Sequence, residues 1–107
     1  MNASTYSNIL FLAPSMGMSL EEVKVEIENG ADPAAKKAPS RGTPSHIAAG
    51  LGRRDLLEYY HSIGVSVFEE DLSGRTPADS ARAQGRWELA EWLDGLRGST
   101  IDPAPDI

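Results

Sequence analysis

Few side chains in this sequence are of types that do chemistry. There are two histidines, His46 and His61, and no cysteine. Ser45 adjoins His46, and Asp79 follows 33 residues after the histidine, so the three residue types of a hydrolytic triad are present. Glu69, Glu70 and Asp71 are consecutive carboxylates, a set that can attract a cation. Gly50-Leu51-Gly52 comes nearest to a glycine-rich phosphate loop.

Spacing argues against each of these sites. No His/Glu cluster has zinc-ligand spacing, and the carboxylate run lacks the alternation of a calcium loop. It reads instead as a solvated loop tip. The glycine pair lacks a preceding strand and the lysine that grips phosphate. Without cysteine there is no thiolate metal site, no disulfide and no thiol nucleophile. The expectation is a protein that is not an enzyme, with no catalytic, metal or cofactor-binding residue.

The elements that carry these residues recur. Arg41-Gly42-Thr43-Pro44-Ser45-His46-Ile47-Ala48-Ala49 is matched by Gly74-Arg75-Thr76-Pro77-Ala78-Asp79-Ser80-Ala81-Arg82, with Thr-Pro repeating after 33 residues. Gly52 and Gly85, Leu56 and Leu89, and Glu58 and Glu91 keep that register. Thr is a good helix N-cap, and Pro suits a first helical turn whose N–H has no partner. Each unit therefore predicts a short helix from Pro44 to about Leu51 and a break at Gly52. A second helix follows from about Asp55 to Ser62, with Leu56, Leu57 and Tyr60 on one apolar face. Gly64 ends it, and an extended segment and a turn over 71–74 lead to the next unit. His46 and Asp79 then occupy equivalent places in adjacent units, about 10 Å apart. That is too far for a base and its orienting acid.

A weaker copy lies upstream. Ser19-x-x-Glu22 is a capping box, Leu20, Val23 and Ile27 form an apolar stripe, and Gly30 ends the helix. The following loop carries one residue more than its counterpart, within 36–41. Pro14 falls where a first helix should run, which predicts a short helix ending near Ala13 and an irregular bend through Gly17.

This pattern resembles the ankyrin repeat, whose signature is Thr-Pro-Leu-His-x-Ala at a 33-residue period. Residues 43–48 keep all of its specified positions except Leu, replaced by Ser45, and residues 76–81 keep Thr, Pro and Ala. The resemblance implies an all-α fold, a short ankyrin-repeat solenoid of helix-turn-helix units joined by hairpin-like loops. Repeats are expected at about 8–36, 41–70 and 74–97 within a domain over 1–97, followed by an extended, Pro-containing tail over 98–107. It implies that His46 braces loops by hydrogen bonds, and that binding uses loop tips and the concave face of the inner helices. On this sequence the tips supply Lys36, Lys37, Ser40 and Arg41, then Glu70, Asp71, Leu72, Ser73 and Arg75. The inner helices supply Met16, Gly17, Gly50, Leu51, Ala83 and Gln84. Trp92 is expected to tilt outward from the last helix, either as a binding anchor or as cover for the end of the stack. Trp87 is expected to be partly core, and His61 a solvated residue at a helix C-terminus.

The chain has 107 residues, enough for one small domain, and a formal net charge of −6. Such a charge argues against nucleic acid, which needs clustered Lys and Arg, and against an anionic membrane surface. The apolar run from Ile9 to Ala13 is too short for a signal core or a membrane span. The expectation is a cytoplasmic or organelle-soluble protein, not secreted and not inserted in a membrane. Its partner is a protein, bound in an adaptor or regulatory role. The alternative is a small accessory subunit of a larger, possibly organellar, assembly, since two full units and one irregular one lie near the lower limit for a stable stack.

Overall fold

A computed structural model describes residues 3–37 and 40–101, with side chains described over 9–37 and 40–96. The described residues form six helices: α1 Ala3–Met16, α2 Leu20–Glu28, α3 Pro44–Gly50, α4 Arg54–Ser62, α5 Pro77–Ala83 and α6 Trp87–Ile101. Among the described residues there is no strand, only an isolated bridge between Lys37 and Gly42. The helices pack as three pairs, α1/α2, α3/α4 and α5/α6. The first helices of the pairs form an inner row, α1 against α3 and α3 against α5.

Local chemistry sets the helix starts. Thr43, Thr76 and Ser19 are extended N-caps, each closing a reciprocal box with the residue three positions on. Such a cap contributes about 1 kcal/mol. Pro44 and Pro77 open α3 and α5, and both are buried. The turns into the second helices pass through Gly17, Gly52 and Gly85, each at a φ of 75°. A Cβ at Gly52 would also lie 2.8 Å from Arg86 Nη1, so the arginine side chain would have to move aside.

The first helix departs from expectation. It runs unbroken to Met16 with Pro14 inside it, rather than ending near Ala13. Proline there forfeits one N–H bond, to the carbonyl of Leu10, and does so in the last turn. Leu10, Ala13 and Pro14 are all buried, so packing holds the helix that local propensity would end. The Gly17–Met18 turn then closes through Met18 N–H to the Ala13 carbonyl at 3.0 Å. At the other end α6 continues to Ile101, past Gly98, where the sequence suggested an extended tail. Residues 102–107 lie outside the described residues.

The core is small against large. Ala48, Ala49, Ala78 and Ala81 let the inner row approach closely, and among the described residues α3 on α5 is the most extensive contact between helices. Leu56, Leu57, Tyr60, Leu89 and Leu93 fill the second row. The positions of Leu56 and Tyr60 are taken in α2 by Glu22 and Glu26, so the first pair carries polar groups where the others bury apolar ones. Two hydroxyls, Ser45 Oγ and Tyr60 Oη, are buried without a hydrogen-bond partner among the described residues.

The loops leading into α3 and α5 are built alike, with one exception. Gly74 turns at a φ of 83°, and the equivalent Arg41 adopts 62°. A side chain in this left-handed region costs about 1 kcal/mol or more relative to glycine. Arg41 is exposed. Arg41→Gly is therefore expected to raise the unfolding free energy by about 1 kcal/mol, seen as a higher urea midpoint at unchanged slope. A lower midpoint would mean that the arginine side chain compensates its own backbone.

Candidate functional site

Two side-chain hydrogen bonds tie the second and third pairs together, and one ties the first to the second. His46 makes the principal one. Its Nδ1 accepts the Thr43 N–H at 3.1 Å, which places the ring proton on Nε2. Nε2–H then donates to the Arg75 carbonyl, 2.7 Å away in the next loop. The ring is committed at both nitrogens and is 6% exposed, so it is not placed to act as a base for Ser45. In the third pair Asp79 makes the cap alone, accepting from Thr76 N–H at 3.0 Å, and holds Arg82 through its other oxygen at 2.8 Å. The Thr76 N–H bond, first among several, holds the Asp79 carboxyl below the usual carboxylate range. Arg82 also pairs with Asp94 on α6. The remaining links are arginines from the inter-helix turns: Arg53 Nη1 donates to the Met18 carbonyl at 2.8 Å, and Arg86 Nε to the Gly50 carbonyl at 2.9 Å.

The two loops run side by side. Leu72 N–H donates to the Ser40 carbonyl at 2.8 Å, and Lys36 Nζ lies 3.3 Å from a Glu69 carboxylate oxygen. The basic and acidic tips therefore neutralise each other in part, rather than presenting two separate fields. Lys37 lies over the Phe11 ring, 5.5 Å from its centroid. Asp71 spends its carboxylate inside its own turn, on Ser73 and on Arg75 N–H, and the Ser73 hydroxyl foremost holds it below the usual range. Glu70, Leu72 and Ser73 are exposed, with Leu72 at 70%. Arg41 and Arg75 are also exposed, and neither guanidinium has an ion-pair partner among the described residues.

One groove draws several of these residues together. A cavity of about 390 Å³ opens between α3 and α5, lined by Ile47, Gly50, Leu51, Arg75, Ala83 and Gln84, with His46 and Ser80 completing it. Leu51, Arg75, Ala83 and Gln84 were expected binding residues, and they meet here. Ile47 and Ser80 were not singled out, although each stands four residues before Leu51 and Gln84 and so on the same helical face. The same positions on α1 are Leu12 and Met16, 49% and 60% exposed. The open side of the inner row thus carries Leu12 and Met16, then Ile47 and Leu51, then Ser80 and Gln84.

Trp87 departs from its expected place in the core, and Trp92 takes the covering position rather than the outward one. Trp87 is 61% exposed, while Trp92 is half-buried against the core with the Arg54 guanidinium 4.5 Å above its ring. In the 33-residue register Trp87 falls on exposed Arg54 and Trp92 on half-buried Tyr59, so each tryptophan follows its counterpart's environment. Trp92 is not among the groove residues. His61 is exposed as expected, and meets Phe68 edge-on at 6.3 Å between centroids.

Among the described residues no group of three His, Asp or Glu side chains is placed to hold a metal ion, and no helix is long and apolar enough to cross a membrane. No family model matches the chain. Among curated proteins, residues of this chain are 30% identical over 80 positions to cyclin-dependent kinase 4 inhibitor B of Rattus norvegicus, covering 75% of this chain and 62% of the inhibitor. Ankyrin repeat domain-containing protein 37 of Mus musculus is 28% identical over 79 positions, covering 74% of this chain and 50% of that protein. ARF GTPase-activating protein GIT1 of Homo sapiens is 43% identical over 56 positions, but the chain spans only 7% of its length.

Proposed function

We propose that the chain is a short ankyrin-repeat stack that binds a protein partner, in an adaptor or regulatory role, along the open side of its inner helices and the adjoining loop tips. The observation that carries this reading is the apolar row on that side: Leu12, Met16 and Leu51 are exposed, next to the groove floored by Ile47 and Ala83. Isolated exposed apolar residues are ordinary, but a row continuing across neighbouring helices is a surface that gains by being covered. Similarity to a protein named for ankyrin repeats, and to one named as a kinase inhibitor, supports a binding rather than a catalytic role. The stack has units at about 8–36, 41–70 and 74–97. The lack of cysteine fits a reducing, cytoplasmic or organelle-soluble setting.

Gly50 offers a clean test. It ends α3, and a Cβ there would meet only Gln84 Cγ at 4.0 Å. Gly50→Gln therefore fills the groove without disturbing the core, and removes a poor helix former. With wild-type and variant chains as parallel bait, partners retained by the first are expected to be lost by the second, at an equal or higher melting temperature. Equal capture by both would remove the groove from the binding surface.

A further inference from the structure

The charge of the molecule is unevenly divided between its two faces. The second-row helices α2, α4 and α6 carry nine carboxylates against three basic side chains, which accounts for the whole net charge of −6. Elsewhere among the described residues, five carboxylates meet seven basic side chains. Most of those seven are engaged: Arg53 with Asp55, Lys36 with Glu69, Arg82 with Asp79, Lys37 over Phe11, and Arg86 on the Gly50 carbonyl. Arg75 and Arg41 are left, one lining the groove and the other at the tip of the loop beside it. The Arg75 backbone is fixed on both sides, its N–H on Asp71 and its carbonyl on His46, so the guanidinium springs from an anchored root.

We propose that the groove takes an acidic peptide segment, with carboxylates on Arg75 and Arg41 and apolar side chains against Ile47, Leu51 and Ala83. This rests on the groove reading above and adds the partner's chemistry to it. Arginine suits the task, because its planar fork grips a carboxylate with two parallel bonds. A basic segment would set its charges against two unpaired guanidiniums, and would be drawn by the far field to the acidic second-row face instead. Adjacent helices lie about 10 Å apart, about three residues of a polyproline II segment, whose side chains return to the same face at every third position. A segment in that conformation crossing the inner row would therefore place an apolar side chain on each helix at every third position, with acidic residues between.

The test is selection from a random 16-residue peptide library against the intact chain. Enriched peptides are expected to be rich in Asp and Glu, with apolar residues three apart. Their affinity should fall about tenfold in Arg75→Glu, fall further in the double variant Arg41→Gly with Arg75→Glu, and weaken as salt rises. The melting temperature of Arg75→Glu should match wild type, since only a free side chain changes. Enrichment of basic or neutral peptides that still bind in the groove, as judged by their loss in Gly50→Gln, would overturn the acidic partner and leave the groove reading standing. Peptides that bind Gly50→Gln as well as wild type, or no enrichment at all, would overturn both.

Discussion

His46→Ala is expected to lower the unfolding free energy by about 2–4 kcal/mol. Two contributions add up. The His46 half of the α3 cap is lost, which leaves the buried Thr43 N–H without its partner, and the Arg75 carbonyl keeps only the Asp71 N–H, each at about 1–2 kcal/mol. The structure also supplies a way to separate these losses. Asp79 shows that an aspartate can make the same cap, but it has no N–H with which to reach the next loop. His46→Asp should therefore keep the cap and lose only the inter-unit bond, falling between wild type and His46→Ala. Urea titrations of the three chains measure this directly. If the aspartate variant matches wild type, the bond to Arg75 carries no stability and the pairs are held by apolar contact alone.

Tyr60 gives the second large effect, and here the sign depends on pH. Its ring is fully buried and its hydroxyl has no partner among the described residues. Burial pushes the phenol up to about 12, against an opposing pull from Arg53. In the unfolded chain it ionises near 10. Between these values the unfolded state has released a proton that the folded state still holds. The folded pKa is the higher one, so this stability is present below pH 10 and is lost as pH rises toward 12. The loss is roughly 2–3 kcal/mol. Tyr60→Phe removes both the orphan hydroxyl and the titration. It is expected to be about 1 kcal/mol more stable at neutral pH, and to lose less stability than wild type above pH 10. Parallel alkaline slopes for the two chains would show that the Tyr60 hydroxyl is solvated in the fold.

What could be read from sequence was what is local. Thr43-Pro44 and Thr76-Pro77 announced both inner helices because cap and first turn are set within four residues. Gly52, Gly64 and Gly85 marked their breaks for the same reason. Pro14 misled because the penalty for proline is a local quantity, whereas the reward that outweighs it, burial of Leu10 and Ala13, comes from other elements. The pairing of Lys36 with Glu69 was equally hidden: each charge is plain in sequence, but their meeting depends on two loops lying side by side. The tryptophans are a different case. Trp87 shares the register position of Arg54 and Trp92 that of Tyr59, and the exposure of each follows its counterpart's.

The hydrogen bonds between pairs have one further property. Each joins residues about one unit apart along the chain: 29 positions from His46 to Arg75, 35 from Met18 to Arg53 and 36 from Gly50 to Arg86. No such bond requires the two ends of the polypeptide to find each other. Loop-closure entropy is thus met in small, equal instalments, and a chain of such contacts acquires order as a zipper does. The second and third pairs, joined by the broad α3–α5 contact and two of these bonds, are expected to order together, and the first pair, held by one, to be the first to fray.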